Sequence, residues 1–314
     1  MNKKILLSGV KPTGIPHIGN YFGAMKQWTD LQSQYDCRFM LADYHALNFI
    51  QNAEEMRNNI LNLAIDYIAI GLDPEKAIIF KQSDVPAHTE LTWIFDTITT
   101  MPYLMRAHAF KDAEARDKEI TVGTFNYPML MAADILLYDT DIVPVGQDQK
   151  QHVEYTRDTA QKFNNTFAET FKLPDVLIMK EVAVVPGVDG RKMSKSYGNT
   201  IGLFSTREEI IKSVMSIVTD SSGDVPTNVY NIHKLLRSEK EIAEIYETNK
   251  GKYKVLKELL IEDLDAFIKP LREKREEIAK NIDHVNKILN DGAAKAREIA
   301  ESKLLTVKRN IGVL

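Results

Sequence analysis

The fold is decided by residues 4–20, which read KILLSGVKPTGIPHIGN. Lys4–Ser8 is predicted to form a first strand that ends at Gly9, followed by a turn with further glycines and then a helix. Gly14 and Gly19 have the spacing of a P-loop, but Asn20 stands where its lysine belongs, and no G-x-G-x-x-G sequence occurs here. The stretch therefore predicts a strand, a turn and a helix whose first N–H groups can hold a phosphate.

Short apolar runs and helical segments alternate along the first 200 residues. Further strands are predicted at Arg38–Ala42, Ala77–Lys81 and Asp141–Val145. Between the first two of these, apolar side chains recur at helical spacing until Gly71 and Pro74 supply a stop. The alternation predicts an α/β fold with a doubly wound, Rossmann-like parallel sheet, in which ligands bind just after the strands.

The chain changes character after about residue 200. Residues 201–314 contain no convincing strand and are rich in Lys, Glu, Leu and Ile at helical spacing, which predicts an all-α C-terminal domain. They carry 20 basic and 19 acidic side chains, against 20 and 25 in residues 1–200. The net charge of −4 excludes a uniformly basic nucleic-acid-binding protein, but it allows a local basic face.

Composition excludes several other classes of protein. Cys37 is the only cysteine, which excludes an intrachain disulfide framework and a cysteine-rich metal site, and fits a reducing compartment. The apolar run near the start is too short for a signal peptide, and no stretch approaches 18 apolar residues. We therefore expect a soluble, cytoplasmic protein that does not enter a membrane.

A second glycine-containing loop, residues 187–196, reads GVDGRKMSKS. Its glycines allow movement, and Lys192 and Lys195 could close over the phosphates of a leaving group. The alternative interpretation is a solvated basic turn, which is what most such runs are. The same caution applies to His17 in the first loop, since a lone histidine in a loop is usually structural.

Taken together, the two loops resemble the paired signature of the class I aminoacyl-tRNA synthetases. Lys192–Ser196 matches its KMSKS motif in full, and His17–Asn20 matches its first motif with Asn20 in place of the final histidine. That asparagine, within GNYFGA at residues 19–24, is similar to the bacterial type of the tryptophanyl-tRNA synthetase family. Residues 42–47, 127–138 and 143–152 extend the resemblance, and residues 218–221, 291–293 and 311–312 carry it almost from end to end.

The resemblance implies an enzyme, a tryptophan–tRNA ligase. Such an enzyme would activate L-tryptophan with ATP, release pyrophosphate, and transfer tryptophan from its adenylate to the 3′ end of tRNA(Trp). Mg²⁺ would be held mainly by the ATP phosphates, with no metal site of the protein's own. The expected partners are tRNA(Trp), L-tryptophan and a second copy of the chain in a homodimer, with no DNA.

The resemblance also implies a domain division and a set of site residues. Residues 1–200 would be catalytic, residues 201–295 would bind the anticodon, and residues 296–314 would form a helix that packs back on the catalytic domain. The expected catalytic residues are Lys192, Lys195, His17 and Asn20. ATP would be bound by these four and by Lys11, Pro12, Thr13, Gly19, Gly146, Gln147, Asp148, Val185, Met193, Ser194 and Ser196. Tryptophan would be bound by Asp134, Tyr127, Met131, His45, Gln149, Val143, Val145 and Leu7.

Asp134 has a physical reason to be in this set. The indole N–H only donates, so a site that selects tryptophan needs a buried acceptor. Asp134 lies in an apolar helical run, where an unpaired carboxylate would be costly. The alternative is a core aspartate held by a cap or a salt bridge.

Two departures from the family pattern concern substrate contacts. Lys11 stands where glutamine is frequent, and we hypothesise that it replaces a phosphate-side lysine that the family has near Ala113. Ala109 stands where a contact to the amino acid is expected, and His108 is a candidate to replace it.

Three alternative functions stay open at this stage. A tyrosyl-type synthetase is disfavoured by Leu7 and Lys11, where that group typically has a tyrosine and an acidic residue. A catalytically silent synthetase-like binding protein is disfavoured by the intact Lys192–Ser196 motif. A small-molecule nucleotidyltransferase of the same superfamily would have no use for the long helical C-terminal part.

Overall fold

The computed structural model describes residues 3–107, 110, 120–146, 150–178, 185–219 and 224–314. Five parallel strands in these residues form one sheet: β1 Ile5–Val10, β2 Asp36–Leu41, β3 Ala77–Lys81, β4 Ile142–Val145 and β5 Asp175–Ile178. Their spatial order is β3-β2-β1-β4-β5, which is the doubly wound order. The predicted fold class, a Rossmann-like parallel sheet followed by an all-α region, is confirmed.

Helices surround the sheet and form most of the remaining described chain. They are α1 Ile18–Asn20, α2 Lys26–Gln34, α3 Asp43–Ala46, α4 Ala53–Ala69, α5 Ala87–Ile98, α6 Met101–Leu104, α7 Val122–Leu136, α8 Lys150–Thr166, α9 Arg207–Met215, α10 Thr227–His233, α11 Glu239–Thr248, α12 Tyr253–Ala279 and α13 Ile282–Asn310. A π-helical turn, Tyr21–Met25, joins α1 to α2, and 3₁₀ turns occur at Gln82–Asp84 and Lys195–Tyr197. None of these described helices is long and apolar enough to cross a membrane.

The sheet separates two hydrophobic cores. Successive side chains of a strand point to opposite faces, so Leu6 enters the core formed with α2, α4 and α12, and Leu7 enters the core formed with α5, α7 and α8. The crevice where the strand order reverses lies between β1 and β4. Ligands of doubly wound sheets bind outside the carboxyl ends of the strands at this point.

The last helix, α13, crosses the edge of the sheet at β3. Its first half, with Val285 and Ile288, belongs to one core, and its second half, with Ala296 and Leu304, belongs to the other. At the crossing, a Cβ on Gly292 would lie 1.9 Å from the carbonyl oxygen of Ile79. The contact therefore requires glycine, and α13 covers the exposed edge that β3 would otherwise present. The expected boundary between residues 295 and 296 lies within this helix.

The helical region is tied to the sheet domain by a buried ion pair. Arg275 of α12 donates from Nε to Oδ1 of Asp66 on α4, at 2.6 Å, and from Nη2 to Oδ1 of Asn62, at 2.7 Å. Burial raises the pKa of Asp66 to about 6, although the nearby Arg275 guanidinium opposes this. The helical residues therefore pack on the sheet domain through charged as well as apolar contacts.

Gly292→Ala is expected to destabilise the fold, because the new methyl group must push α13 away from the backbone of β3. Overpacking of this kind costs about 1–3 kcal/mol, which outweighs the better helix propensity of alanine. Gly23→Ala is the matched control, since its Cβ would meet nothing within 4 Å. Thermal unfolding should give a lower melting temperature for Gly292→Ala only. Equal melting temperatures for the two variants would contradict the described contact.

Candidate active site

The turn after β1 and the loop at residues 185–203 form one structure, although about 175 residues separate them. The N–H of Ile18 donates to the carbonyl of Ile201 at 3.0 Å, and the N–H of Leu203 donates to the carbonyl of Pro16 at 3.0 Å. Lys195 donates from Nζ to the carbonyls of Thr13 at 3.1 Å and Gly14 at 2.8 Å. The structure thus brings the two loops of the sequence motif together at the carboxyl end of β1.

His17 and Asn20 bond to each other at the start of α1. Nδ1 of His17 accepts from the N–H of Asn20 at 3.2 Å, and Oδ1 of Asn20 accepts from the N–H of His17 at 3.1 Å. Burial and the charge of Lys195 lower the pKa of His17 to about 4. The imidazole is therefore neutral at pH 7, and since Nδ1 accepts, its proton is on Nε2, which can donate to an anion.

Gly19 is required for the packing of this turn. A Cβ at Gly19 would lie 2.9 Å from Nδ1 of His17 and 3.4 Å from Cβ of Met193. Met193 is buried, and its N–H donates to the carbonyl of Val185 at 2.9 Å. The buried Val185 and Met193 thus anchor the loop that carries the lysines.

The lysines of the second loop are on its exposed side. Lys192 and Lys195 are both exposed, and partial burial lowers the pKa of the Lys195 ammonium. Asn199, which the sequence did not single out, orders this loop: its Oδ1 accepts from the N–H of Ser194 at 2.8 Å, and its Nδ2 donates to Oδ1 of Asp189 at 2.6 Å. Ser194 and Ser196 lie together, with their hydroxyl oxygens 3.0 Å apart.

Lys11 lies between the first loop and the segment after β2. Its Nζ is 4.3 Å from the centroid of the Phe49 ring, a cation–π contact. Partial burial lowers the pKa of Lys11. Pro12 is buried and Thr13 is exposed in the same turn.

On the other face of the sheet, Asp134 of α7 is buried among polar donors. Its Oδ2 is 2.8 Å from Nε2 of His45, and its Oδ1 is 2.7 Å from Nε2 of Gln82 and 2.6 Å from Nδ1 of His88. Burial opposes the charge, but the hydrogen bonds from His45 and His88 outweigh burial and bring the pKa of Asp134 to about 2. The carboxylate is therefore ionised throughout the neutral range.

Of the other residues expected to bind tryptophan, His45 contacts this carboxylate, Tyr127 contacts His45, and the apolar ones belong to the core around α7. Leu7 and Val143 are buried in the hydrophobic core that contains the neighbours of Asp134 in α7, and Met131 and Val145 pack against that core. Tyr127 lies edge-on to the ring of His45, with centroids 6.2 Å apart, and its hydroxyl is 2.5 Å from Nε2 of His152. Gly146 is exposed directly after β4. Gln147, Asp148 and Gln149, together with His108, Ala109 and Ala113, lie outside the described residues.

Sequence reasoning missed Gln82, His88 and Tyr138. Gln82 comes directly after the predicted strand β3, so the rule that ligands bind after strands could have found it. Its amide orientation is fixed because Oε1 accepts from the N–H of Tyr44 at 3.1 Å, which leaves Nε2 to donate to Asp134. His88 and Tyr138 gave no signal of their own.

In the described part of the chain, no three His, Cys, Asp or Glu side chains lie close enough together to hold a metal ion.

Comparisons with known proteins cover almost the whole of the chain. Residues 2–283 match the family model described as tRNA synthetases class I (W and Y). The chain is 47% identical over 317 residues to a tryptophan–tRNA ligase of Fusobacterium nucleatum, covering 98% of each chain. It is 44% identical over 321 residues to one of Rhodopirellula baltica, covering 98% and 99%. Among solved structures, the tryptophanyl-tRNA synthetase of Campylobacter jejuni complexed with ADP and tryptophan superposes with a TM-score of 0.92, at 43% identity and 98% and 99% coverage.

Asp134→Asn is expected to destabilise the fold in a way that depends on pH. The folded pKa of about 2 lies below the ordinary value of 3.8, so the ionised carboxylate stabilises the fold above about pH 4, and this contribution is lost as the pH falls towards 2. Urea unfolding followed by circular dichroism should give a gap between wild type and variant that is largest at pH 7 and narrows at pH 3.5.

Asp96→Asn is the control with the opposite sign. Burial raises the pKa of Asp96, although Asn126 donates to its carboxylate at 2.8 Å, so ionisation of Asp96 costs stability as the pH rises. A gap for Asp134→Asn that stays constant across this pH range would contradict the assigned environment of the carboxylate.

Proposed function

The chain belongs to the class I tRNA synthetases of the tryptophan and tyrosine group, and we infer from this membership that it is a tryptophan–tRNA ligase that uses ATP. It activates L-tryptophan to tryptophanyl-adenylate and transfers the tryptophan to tRNA(Trp). The observation that carries the choice of amino acid is similarity over 98% of the chain to tryptophan–tRNA ligases. The buried, ionised Asp134 beside an apolar wall agrees with this choice, because an indole N–H needs an acceptor there.

We assign tryptophan to the space bounded by the Asp134 face of α7 and the end of β1. Leu7, Met131, Val143 and Val145 would contact the indole ring, and Asp134 would accept from its N–H. Tyr127, His45 and Gln149 would hold the ammonium and carboxylate groups. His45 lies at the carboxyl end of β2 and contacts both Asp134 and the ring of Tyr127, so it can connect the two ends of the amino acid.

We assign ATP to the joined loops at the carboxyl ends of β1 and β4. The neutral His17, through Nε2–H, and the first N–H groups of α1 would contact phosphates. Pro12, Thr13, Gly19, Val185, Met193, Ser194 and Ser196 would shape and line this site, and Gly146, Gln147 and Asp148 would contact the adenosine. Lys195 now binds the carbonyls of Thr13 and Gly14, and it would exchange these for phosphate oxygens when ATP binds.

The reaction needs charge stabilisation rather than a base. The tryptophan carboxylate is ionised at pH 7 and attacks the α-phosphate, so the bond to pyrophosphate breaks and negative charge builds on the leaving group. Lys192, Lys195 and Lys11 would neutralise that charge, and His17 and Asn20 would keep the phosphates in line. The tRNA ribose hydroxyl then attacks the carbonyl of the adenylate and AMP leaves.

Mg²⁺ fits this site as a companion of ATP. The groups that meet at the loops are ammonium groups, an imidazole N–H and backbone N–H groups, which match phosphate oxygens rather than a cation. The ATP phosphates would therefore hold Mg²⁺, and the ion would add to the neutralisation of pyrophosphate.

We place the reaction in the cytoplasm, where tRNA is charged.

We propose that residues 201–295 bind the anticodon of tRNA(Trp) and that residues 296–314 belong to the catalytic side. The nearly balanced charge of residues 201–314, against the acidic balance of residues 1–200, supports RNA binding by the helical region. Ala296, Ala300, Leu304 and Val307 are buried in the same core as α5, α7 and α8, which supports the assignment of the last residues.

ATP–pyrophosphate exchange, measured with each of the twenty amino acids and followed by charging of tRNA, tests the function. Exchange is expected with tryptophan alone, and exchange with no amino acid, or with tyrosine, would overturn the assignment.

Lys195→Ala should slow exchange about 100-fold, because one charge-stabilising donor is lost, and should leave tryptophan binding almost unchanged. Lys280→Ala, on the exposed end of α12, is the control and should keep wild-type exchange. Normal exchange in Lys195→Ala would contradict the role of this lysine.

We propose that the protein is a homodimer that buries one apolar face. This face consists of Leu47, Phe49, Trp93, Met101, Met105 and Val122, which are 46–80% exposed. Its parts lie close together, since a Cβ on Gly123 would be 2.7 Å from Oδ1 of Asn48, and Asn126 of α7 bonds Asp96 of α5. Exposed apolar groups concentrated in this way are typical of an interface between subunits.

Trp93→Glu is expected to convert the dimer into a monomer, because a charge would be buried at the centre of this face. Sedimentation equilibrium should give twice the chain mass of 35.7 kDa for the wild type and the single chain mass for the variant. Leu305→Glu replaces a similarly exposed apolar residue on α13 and should remain dimeric. A monomeric wild type, or a dimeric Trp93→Glu, would refute the proposed interface.

A further inference from the structure

A buried row of three side chains leads away from Asp134, the proposed indole acceptor. Tyr138, just after α7, places its hydroxyl 2.8 Å from Nε2 of His88 on α5, and Nδ1 of His88 is 2.6 Å from Oδ1 of Asp134. The three residues are 1%, 0% and 2% exposed. The ring of Phe80, at the end of β3, packs against both His88 and Tyr138. Neither His88 nor Tyr138 touches solvent, and neither has a role in the reaction described above.

The direction of the hydrogen bonds in this row follows from the chemistry of its members. The ionised carboxylate of Asp134 can only accept, so Nδ1 of His88 is the nitrogen that carries the proton. Nε2 of the neutral imidazole then accepts from the hydroxyl of Tyr138, whose pKa is raised by burial. Tyr138 thus supports the one neutral tautomer of His88 that can donate to the carboxylate.

A count of acceptor positions indicates where a ligand can bind Asp134. An ionised carboxylate has about four lone-pair positions, two on each oxygen. Oδ1 receives Gln82 and His88, so both of its positions are filled, whereas the described residues place only His45 on Oδ2. One position on Oδ2 is left for a ligand N–H. Since Gln82 and His88 fix Oδ1, they also fix the orientation of Oδ2.

We propose that His88 and Tyr138 are positioning residues for the recognition of the indole N–H, acting through Asp134. This inference rests on the proposed function, in which Asp134 accepts from that N–H. The Tyr138–His88 pair holds the carboxylate ionised and rotated so that Oδ2 faces the amino-acid site. Its contribution passes only through the N–H···O bond. It must therefore vanish for a substrate that has the shape of tryptophan but lacks the N–H.

Substitutions of His88 separate the two halves of the row. Asparagine has its amide nitrogen near the place of Nδ1, so His88→Asn can still donate to Asp134 while it loses Tyr138. Glutamine places its amide near Nε2, so His88→Gln can still reach Tyr138 while it loses Asp134. Tyr138→Phe removes one oxygen atom and leaves Nε2 of His88 without this donor.

The test compares kcat/KM in the pyrophosphate exchange reaction for L-tryptophan and β-(3-benzothienyl)alanine, in which sulfur replaces the indole N–H. The preference for tryptophan should fall about tenfold in His88→Gln and in Tyr138→Phe, mainly through a higher KM for tryptophan, with little change for the sulfur analogue. His88→Asn should keep most of the wild-type preference. A merely structural role would weaken both substrates equally, and that result would refute the proposal.

Asp134→Ala separates a failure of this inference from a failure of the proposed function. If Asp134→Ala keeps the wild-type preference for tryptophan, the proposed indole acceptor is wrong. If Asp134→Ala removes the preference but Tyr138→Phe and His88→Gln retain it, the indole acceptor stands and the positioning role is refuted. Thermal unfolding checks that each variant folds. If His88→Gln fails to fold, the result for Tyr138→Phe, which is the smallest change, tests the positioning role.

Discussion

The constraint on which the rest of the site depends is the buried charge of Asp134. A carboxylate among apolar side chains is stable only when donors surround it, and here three donors come from three separate elements. His45 follows β2, Gln82 follows β3, and His88 is in the first turn of α5. Because the strands are parallel and adjacent, their carboxyl ends meet at one edge of the sheet, and α7 needs only to place Asp134 against that edge. The same charge that must be neutralised for folding is then available to select a ligand.

A second constraint joins the two motif loops. The turn after β1 has no P-loop lysine, and the second loop brings Lys195 against it. Backbone hydrogen bonds from Ile18 to Ile201 and from Leu203 to Pro16 keep the loops in register. In the proposed ATP site, Lys11, Lys192 and Lys195 would meet the phosphates, so a chain with a net charge of −4 would bind polyphosphate through a local concentration of lysines.

Much of the fold could be predicted from local sequence pattern. The strand at Ala77–Lys81 has the predicted bounds, and the first, second and fourth strands differ from the prediction by one or two residues at their ends. Strand β5, Asp175–Ile178, was missed because it is only four residues long, begins with a charged residue and is largely exposed on the edge of the sheet. Its pairing with β4, rather than its own sequence, makes it a strand.

The site could be predicted only as far as its ligand-facing residues. Asp134 stands out because a charge interrupts an apolar run, but its partners Gln82 and His88 are 52 and 46 residues away, and nothing local connects them. We expect Oδ2 of Asp134 to accept the indole N–H while the Tyr138–His88 pair holds Oδ1. A crystal structure of the protein with L-tryptophan tests it most directly. The indole nitrogen should lie about 3 Å from Oδ2, with the His88–Asp134 bond intact. An indole nitrogen that bonds another group, or an Asp134 turned away from the ligand, would contradict the account.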